Sequence, residues 1–208
     1  MKKIGIITIS KTSNYGAELQ AFALQKKLQM FGYDAELIDY LYFKHRKHKP
    51  TKESRSEIDF GLKRNVKNFV TYRIISPLVD NVGSIFYRPI RKRLANFKKF
   101  HEKAETKYSS TYRSYPELKM ENWQYDVFIV GSDQVWNPGT ATSLSPYFLE
   151  FAPADKLKMS YASSFGVSSI PSKYHELYKK YLSNLDKIAV RERQGVKLVQ
   201  EISGEKAI

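Results

Sequence analysis

The sequence predicts an α/β fold, a parallel sheet with flanking helices, and three observations carry that prediction. Residues 3–9, rich in isoleucine, have the largely apolar character of a buried parallel strand, and residues 125–130 are a second short apolar β-run. Residues 17–31 are strongly helical, and a second apolar run at 34–39 follows them, so strand, helix and strand succeed one another within about 40 residues. The same alternation returns after Trp123 and continues to Ile208.

In chain order, residues 3–9 form the first strand, and a loop at 10–16 leads into the helix at 17–31. That helix is made of good helix formers, and Leu24, Leu28 and Phe31 stand at i, i+4 and i+7 for its core face. Gly32 is the expected stop. The strand at 34–39 contributes Ala35, Leu37 and Ile38 and completes a βαβ unit with a right-handed crossover, hence a Rossmann-like sheet. Asp39 ends that strand where a ribose-binding carboxylate would sit. The loop offers only Gly16, however, and without G-x-G-x-x-G the backbone has no close approach to a pyrophosphate. Dinucleotide binding is therefore disfavoured. The helix N-terminus can still hold an anion, with Asn14 and Gly16 shaping the turn. Asn14 also reads, with no ligand at all, as a helix N-cap.

The character changes from Leu41. Residues 44–50 are a basic run in which His45 and His48 have metal-ligand spacing, but no Cys, Asp or Glu stands close by to complete a shell. A solvated basic loop is expected, and no metal. Residues 89–100 read as a helix with Pro89 in its first turn and Ile90, Leu94, Phe97 and Phe100 along one edge. Such a basic amphipathic helix either packs on its own domain or lies on an anionic membrane surface. No nucleic-acid reader motif accompanies it.

The stretch at 125–130 breaks at Gly131 and then presents Ser132, Asp133, Gln134 and Trp136 in quick succession. In an open α/β sheet the ligand crevice lies outside the carboxyl ends of the strands, which is where these polar groups would fall. The alternative is an ordinary polar turn with Trp136 in the core. Residues 158–166 form a further strand running into a small-residue turn. A polar helix at 172–185 places Leu177, Tyr181 and Leu185 on one face. A short strand at 187–190 ends at Arg191-Glu192-Arg193, a helix at 194–202 is closed by Gly204, and residues 206–208 begin another strand.

Composition narrows the class. Apolar residues make up 42% and aromatic ones 14%, a globular balance. Nothing approaches the roughly 18 uninterrupted apolar residues of a membrane span, and the opening run is too brief for a signal peptide. A cytoplasmic protein is expected. The absence of cysteine excludes disulfides and thiolate chemistry. The net charge is +14, and between Lys44 and Lys107 there are 18 Lys and Arg against 6 Asp and Glu. That concentration points to a basic, helix-rich insertion at about 44–122 within a single domain spanning 1–208.

Three separated stretches resemble one family. Lys3-Ile4-Gly5-Ile6-Ile7-Thr8 followed by Asn14-Tyr15-Gly16-Ala17-Glu18-Leu19-Gln20-Ala21, then Tyr125-Asp126-Val127-Phe128-Ile129-Val130-Gly131-Ser132-Asp133-Gln134-Val135-Trp136-Asn137, and lastly Ile188-Ala189-Val190-Arg191-Glu192, look like signatures of the polysaccharide pyruvyl transferases. The resemblance implies a transferase that moves a pyruvyl group from phosphoenolpyruvate, as donor substrate and with no cofactor, onto a pair of sugar hydroxyls as a ketal. The setting it implies is surface-polysaccharide (capsule or exopolysaccharide) biosynthesis. It also implies a fold similar to the two-domain, GT-B-like glycosyltransferases. These residues would then supply the amino-terminal half, and a carboxyl-terminal domain absent from this sequence would complete the cleft and bring a histidine for acid catalysis. Arg191 matches the family position that would hold the donor, or else it pairs with Glu192. On the same resemblance Ser132, Asp133 and Gln134 would hydrogen-bond sugar hydroxyls or shape the cleft, with Asp133 a candidate base, or else they satisfy loop N–H groups, and Asn14, Tyr15 and Gly16 would face the same cleft edge. The expected partner is a glycan acceptor, free or lipid-linked, at the inner face of the membrane. A sugar-nucleotide glycosyltransferase and an inactive module docking on a membrane-associated assembly complex are the competing readings.

Overall fold

The computed structural model describes residues 1–12, 14–41, 45, 47–49, 51, 52, 58, 71, 75, 88–139 and 143–208. Its sheet has five strands, β1 (Lys3–Ile7), β2 (Asp34–Tyr40), β3 (Tyr108–Tyr112), β4 (Val127–Val130) and β5 (Leu157–Ser160). They lie in the order β3-β2-β1-β4-β5, and every pairing is parallel. The chain is thus α/β with a Rossmann-like sheet, as the strand–helix alternation predicts. Among the described residues the α-helices are α1 (Tyr15–Met30), α2 (Arg88–Lys103), α3 (Tyr115–Met120), α4 (His175–Leu182) and α5 (Arg193–Ser203).

The strands step outward from β1 in both directions, so right-handed crossovers send their helices to opposite faces. On one face α1 covers Ile4, Ile6, Leu37, Val127 and Ile129. On the other, residues of α3, α4 and α5 close over Ile7, Ile38, Phe128 and Val130. An aromatic stack runs through this second layer: Trp136 lies on Phe148 at 4.9 Å, and Phe148 on Tyr181 at 4.8 Å. Trp136 is fully buried, and its indole N–H donates to the Tyr147 carbonyl at 2.7 Å. The tryptophan is core, and the polar turn before it is a separate feature.

Several expectations need correction. Phe31 is 63% exposed and lies past the end of α1. The face that packs inward is Ala17, Ala21 and Leu24, with Leu28 half-buried, and its two alanines let the helix sit close to the sheet. Glu18 and Gln25 are buried on the same side. The segment at 172–185 is a 3₁₀ turn, Ser172–Tyr174, followed by the shorter α4. Residues 187–190 and 206–208 do lie parallel beyond β5, but they pair through isolated bridges, Met159 with Lys187, Ser163 with Val190 and Ile188 with Ala207. The cause is local. The Ser160 hydroxyl donates to the Ala189 carbonyl at 3.0 Å and accepts from its N–H at 2.9 Å, so a side chain stands where a backbone ladder would form.

The basic section divides. His48 is buried rather than solvated, with its Nδ1 2.9 Å from the Leu41 carbonyl and its ring edge-on to Tyr40. Lys44, Arg46, Pro50 and most of residues 53–87 lie outside the described residues. The helix expected at 89–100 is α2, and its apolar edge packs on α1: Phe97 stacks on Tyr15 at 4.4 Å, and Phe100 meets Phe22 edge-on at 5.6 Å. β3 also falls within 44–122, and it forms the outer strand of the main sheet beside β2. Among the described residues no helix is long and apolar enough to cross a membrane.

Candidate functional site

From β1 the chain steps outward to β2 and β3, then returns to β4 on the other side of β1. The carboxyl ends of β1 and β4 therefore flank the topological switch point, where ligands of open α/β sheets bind. Three side chains bridge it. The Thr8 hydroxyl donates to the Ser132 carbonyl at 2.8 Å, the Ser132 hydroxyl donates to Gln20 Oε1 at 2.7 Å, and Gln20 Nε2 donates back to Thr8 Oγ1 at 3.0 Å. Ser132 was expected here, whereas Thr8 and Gln20 were not. A glutamine on a helix reads as surface, and only its spacing one turn into α1 could have hinted otherwise.

Past Ser132 the loop turns toward β5. Asp133 has φ +88°, in the left-handed region, and its carbonyl accepts from the Ser164 N–H at 2.9 Å. Gln134 Oε1 accepts from Asn137 Nδ2 at 3.0 Å, and both lie against Gly166, where a Cβ would stand 2.6 Å from either atom. The next segment brings Arg191 alongside, its N–H on the Ser163 carbonyl at 3.1 Å. Its guanidinium donates through Nε, at 2.8 Å, and Nη2, at 2.7 Å, to a single oxygen of Glu192, while Nη1 is 4.0 Å from Asp133 Oδ1. The same Glu192 oxygen accepts from the buried Ser164 hydroxyl at 2.9 Å. Arg191 is thus engaged along one edge. It pairs with Glu192, yet 43% of its side chain is exposed beside Asp133 at the start of α5, whose dipole favours an anion there. Asp133, Gln134 and Arg191 are neighbours through the 163–166 turn.

Asn14, Tyr15 and Gly16 lie elsewhere on the same sheet edge. Asn14 caps α1, its Oδ1 accepting from the Gly16 N–H at 2.9 Å and the Ala17 N–H at 3.3 Å. Two donors that an anion would use are therefore taken. The Tyr15 ring is stacked on Phe97.

A second polar cluster, absent from the sequence-based expectations, occupies the β2–β3 side of this edge. Lys11 reaches Asp39 at 2.5 Å and lies over the Tyr108 ring at 4.3 Å, and the Thr111 hydroxyl also donates to Asp39. Glu18, whose side chain is 2% exposed, accepts from the Thr12 N–H at 2.6 Å and stands 3.5 Å from His101 of α2. Burial pushes the Glu18 carboxyl up to about 7, against the lowering effects of the Thr12 N–H and Lys11. His101 is held below its ordinary value by burial first and by the Lys11 charge second. Both groups are thus favoured in their neutral forms.

The stability consequence has a definite sign. Because Glu18 is raised from 4.5, the folded chain binds more protons than the unfolded one between about pH 4.5 and 7. Its contribution is complete below pH 4.5 and is lost as pH rises through 7. The lowered His101 acts oppositely, losing its contribution as pH falls below 6.5. Glu18→Gln is expected to be indistinguishable from wild type near pH 4.5. At pH 8 it should be more stable by on the order of 1 kcal/mol, allowing for screening. Urea unfolding at the two pH values measures this, and a variant less stable at pH 8 would refute the buried neutral carboxyl.

Among the described residues no group of three or more His, Cys, Asp or Glu side chains could hold a metal ion. The fold defines a Rossmann-like α/β protein with its topological switch point between β1 and β4. More particularly, the sequence model of the polysaccharide pyruvyl transferase family matches residues 14–207, nearly the whole chain, and the chain belongs to that family. The family indicates a transferase. No curated protein matches the chain.

Proposed function

We propose that the protein acts in the transfer of a pyruvyl group from phosphoenolpyruvate to two hydroxyls of a sugar in a surface polysaccharide. The observation that carries this reading is Arg191: a half-exposed guanidinium, fixed by Glu192 along its Nε/Nη2 edge, just past the bridged segment 187–190 and beside the N-terminus of α5. Phosphoenolpyruvate carries a carboxylate and a phosphate, and the guanidinium fork suits either group. In the transfer, the donor methylene takes a proton and becomes a methyl group. Both sugar oxygens bond to the adjacent carbon, phosphate departs, and the two hydroxyl protons go to the methyl and the phosphate. On this reading Asp133, whose Oδ1 accepts from the Gln134 N–H at 2.7 Å and is 4.0 Å from Arg191, would accept from a sugar hydroxyl through its other oxygen, with Ser132 and Gln134 shaping the wall around it. Asp133 is a crevice residue on this reading and a weaker candidate for the base.

Phosphoenolpyruvate at saturating concentration is expected to raise the melting temperature by several degrees, since a ligand at 100 times its Kd stabilises by about 2.7 kcal/mol. Phosphate release and a new ketal methyl signal in NMR should then follow with a suitable free or lipid-linked glycan. If sugar nucleotides shift the melting temperature and phosphoenolpyruvate does not, the protein is a glycosyltransferase instead.

A further inference from the structure

We propose that α2 is an electrostatic docking ridge for an anionic lipid surface, with no part inserted into the bilayer. The helix has two opposed faces. Phe97 and Phe100 are engaged by Tyr15 and Phe22 of α1, and Ile90 and Leu94, on the same arc, are half-buried. On the opposite arc stand Arg88, Arg91, Lys92, Lys98, Lys99 and Lys103, all exposed. The one acidic side chain among them is Glu102, 3.8 Å from Lys98. Sixteen residues of helix make a straight ridge of about 24 Å. With Phe97 buried and Phe100 packed against α1, what this helix presents outward is chiefly charge.

The chemistry of the ridge favours a lipid surface over other polyanions. Its outward arc carries long, mobile cationic side chains and no aromatic ring. It therefore has neither a platform for stacking bases or sugar faces nor a set of fixed acceptors for sugar hydroxyls. Mobile charges on a straight, convex element read charge density, which is what a fluid sheet of anionic headgroups presents. Because α2 packs on α1 near its N-terminal end, through Tyr15, docking would set the carboxyl edge of the sheet near the bilayer. This inference does not depend on the proposed reaction.

Vesicles of phosphatidylcholine containing about a third phosphatidylglycerol are expected to retain the protein in sedimentation at low salt. Pure phosphatidylcholine should not retain it, and about 0.5 M salt should release it. Each cation removed should cost roughly fivefold in partitioning. Replacing Arg91, Lys92, Lys98 and Lys99 together by glutamine is thus expected to weaken retention by two to three orders of magnitude. The charge-matched control replaces Lys173, Lys179, Lys197 and Lys206, exposed residues outside α2, and should retain most of the binding. Equal losses in the two variants would show that net charge alone is responsible and overturn the ridge. Retention that survives high salt would overturn the charge-only mode. Tighter binding to a soluble DNA duplex than to the anionic vesicles at the same salt would overturn the choice of partner.

Discussion

Gly131→Ala is expected to destabilise the protein by roughly 3 kcal/mol or more. Gly131 directly follows β4, its N–H donates to the Ile7 carbonyl at 3.0 Å, and its φ is +114°, a region that a residue with a Cβ rarely occupies. A Cβ there would stand 2.2 Å from the Tyr161 carbonyl oxygen and 2.8 Å from Ser163 Oγ. Neither neighbour can yield cheaply. Tyr161 is backbone whose N–H holds Val130 at 2.9 Å, and the Ser163 hydroxyl donates to the same Val130 carbonyl at 3.1 Å. Making room would therefore pull apart the carboxyl ends of β4 and β5 and carry Ser132 and Asp133 out of the crevice. Gly32→Ala is the informative comparison. Gly32 also has positive φ, at +85°, but a Cβ would meet nothing within 4 Å, so only the backbone term of about 1 kcal/mol applies. Urea unfolding midpoints of the two variants at unchanged m should differ clearly. Equal losses would mean that the crowding at Gly131 is relieved by some easy movement, and the crevice wall would not be as rigid as its contacts indicate.

What was legible in the sequence follows from which contacts are local. β1 and β4 announce themselves because strands buried on both faces are largely apolar, β2 because Ala35, Leu37 and Ile38 follow directly on α1, and α1 because its formers run unbroken to Gly32. β3 is Tyr-Ser-Ser-Thr-Tyr, an outer strand with one paired edge, and its polar middle gives no signal of burial. The inward face of α1 was misjudged because two of its buried residues are polar. Gln25, for instance, is buried to exchange hydrogen bonds with the backbone of Lys107, at 2.6 and 3.0 Å, a partner 82 positions away. The same limit applies to the site. Gly131-Ser132-Asp133-Gln134 was recognisable as a strand end bearing polar groups. The bridge through Thr8 and Gln20, and the pairing of Glu18 with His101, depend on elements that meet only in three dimensions.

The guanidinium of Arg191 is where the functional reading is most exposed to test. Glu192 occupies its Nε/Nη2 edge through one oxygen, itself fixed by the buried Ser164, and leaves Nη1 toward Asp133 and solvent. The ligand's carboxylate or phosphate would use that remaining edge, so the arginine is held on one side and binds on the other. Arg191→Ala is expected to weaken phosphoenolpyruvate binding by roughly ten- to a hundredfold, the worth of a charge-assisted hydrogen-bonded pair. Arg191→Lys should lose most of the same amount, because an ammonium has no second edge to offer once Glu192 has engaged it. Neither change should cost more than about 1 kcal/mol of stability, since both partners of the ion pair are about two-fifths exposed and screened, and Glu192 keeps its bond to Ser164. Calorimetric titration of phosphoenolpyruvate into the three proteins, alongside their melting curves, separates the outcomes. A lysine variant that binds as well as wild type would reduce Arg191 to a point charge. An alanine variant within twofold of wild type would remove it from the donor site, and the crevice at the switch point would then have to hold its anion through the backbone of α5 instead.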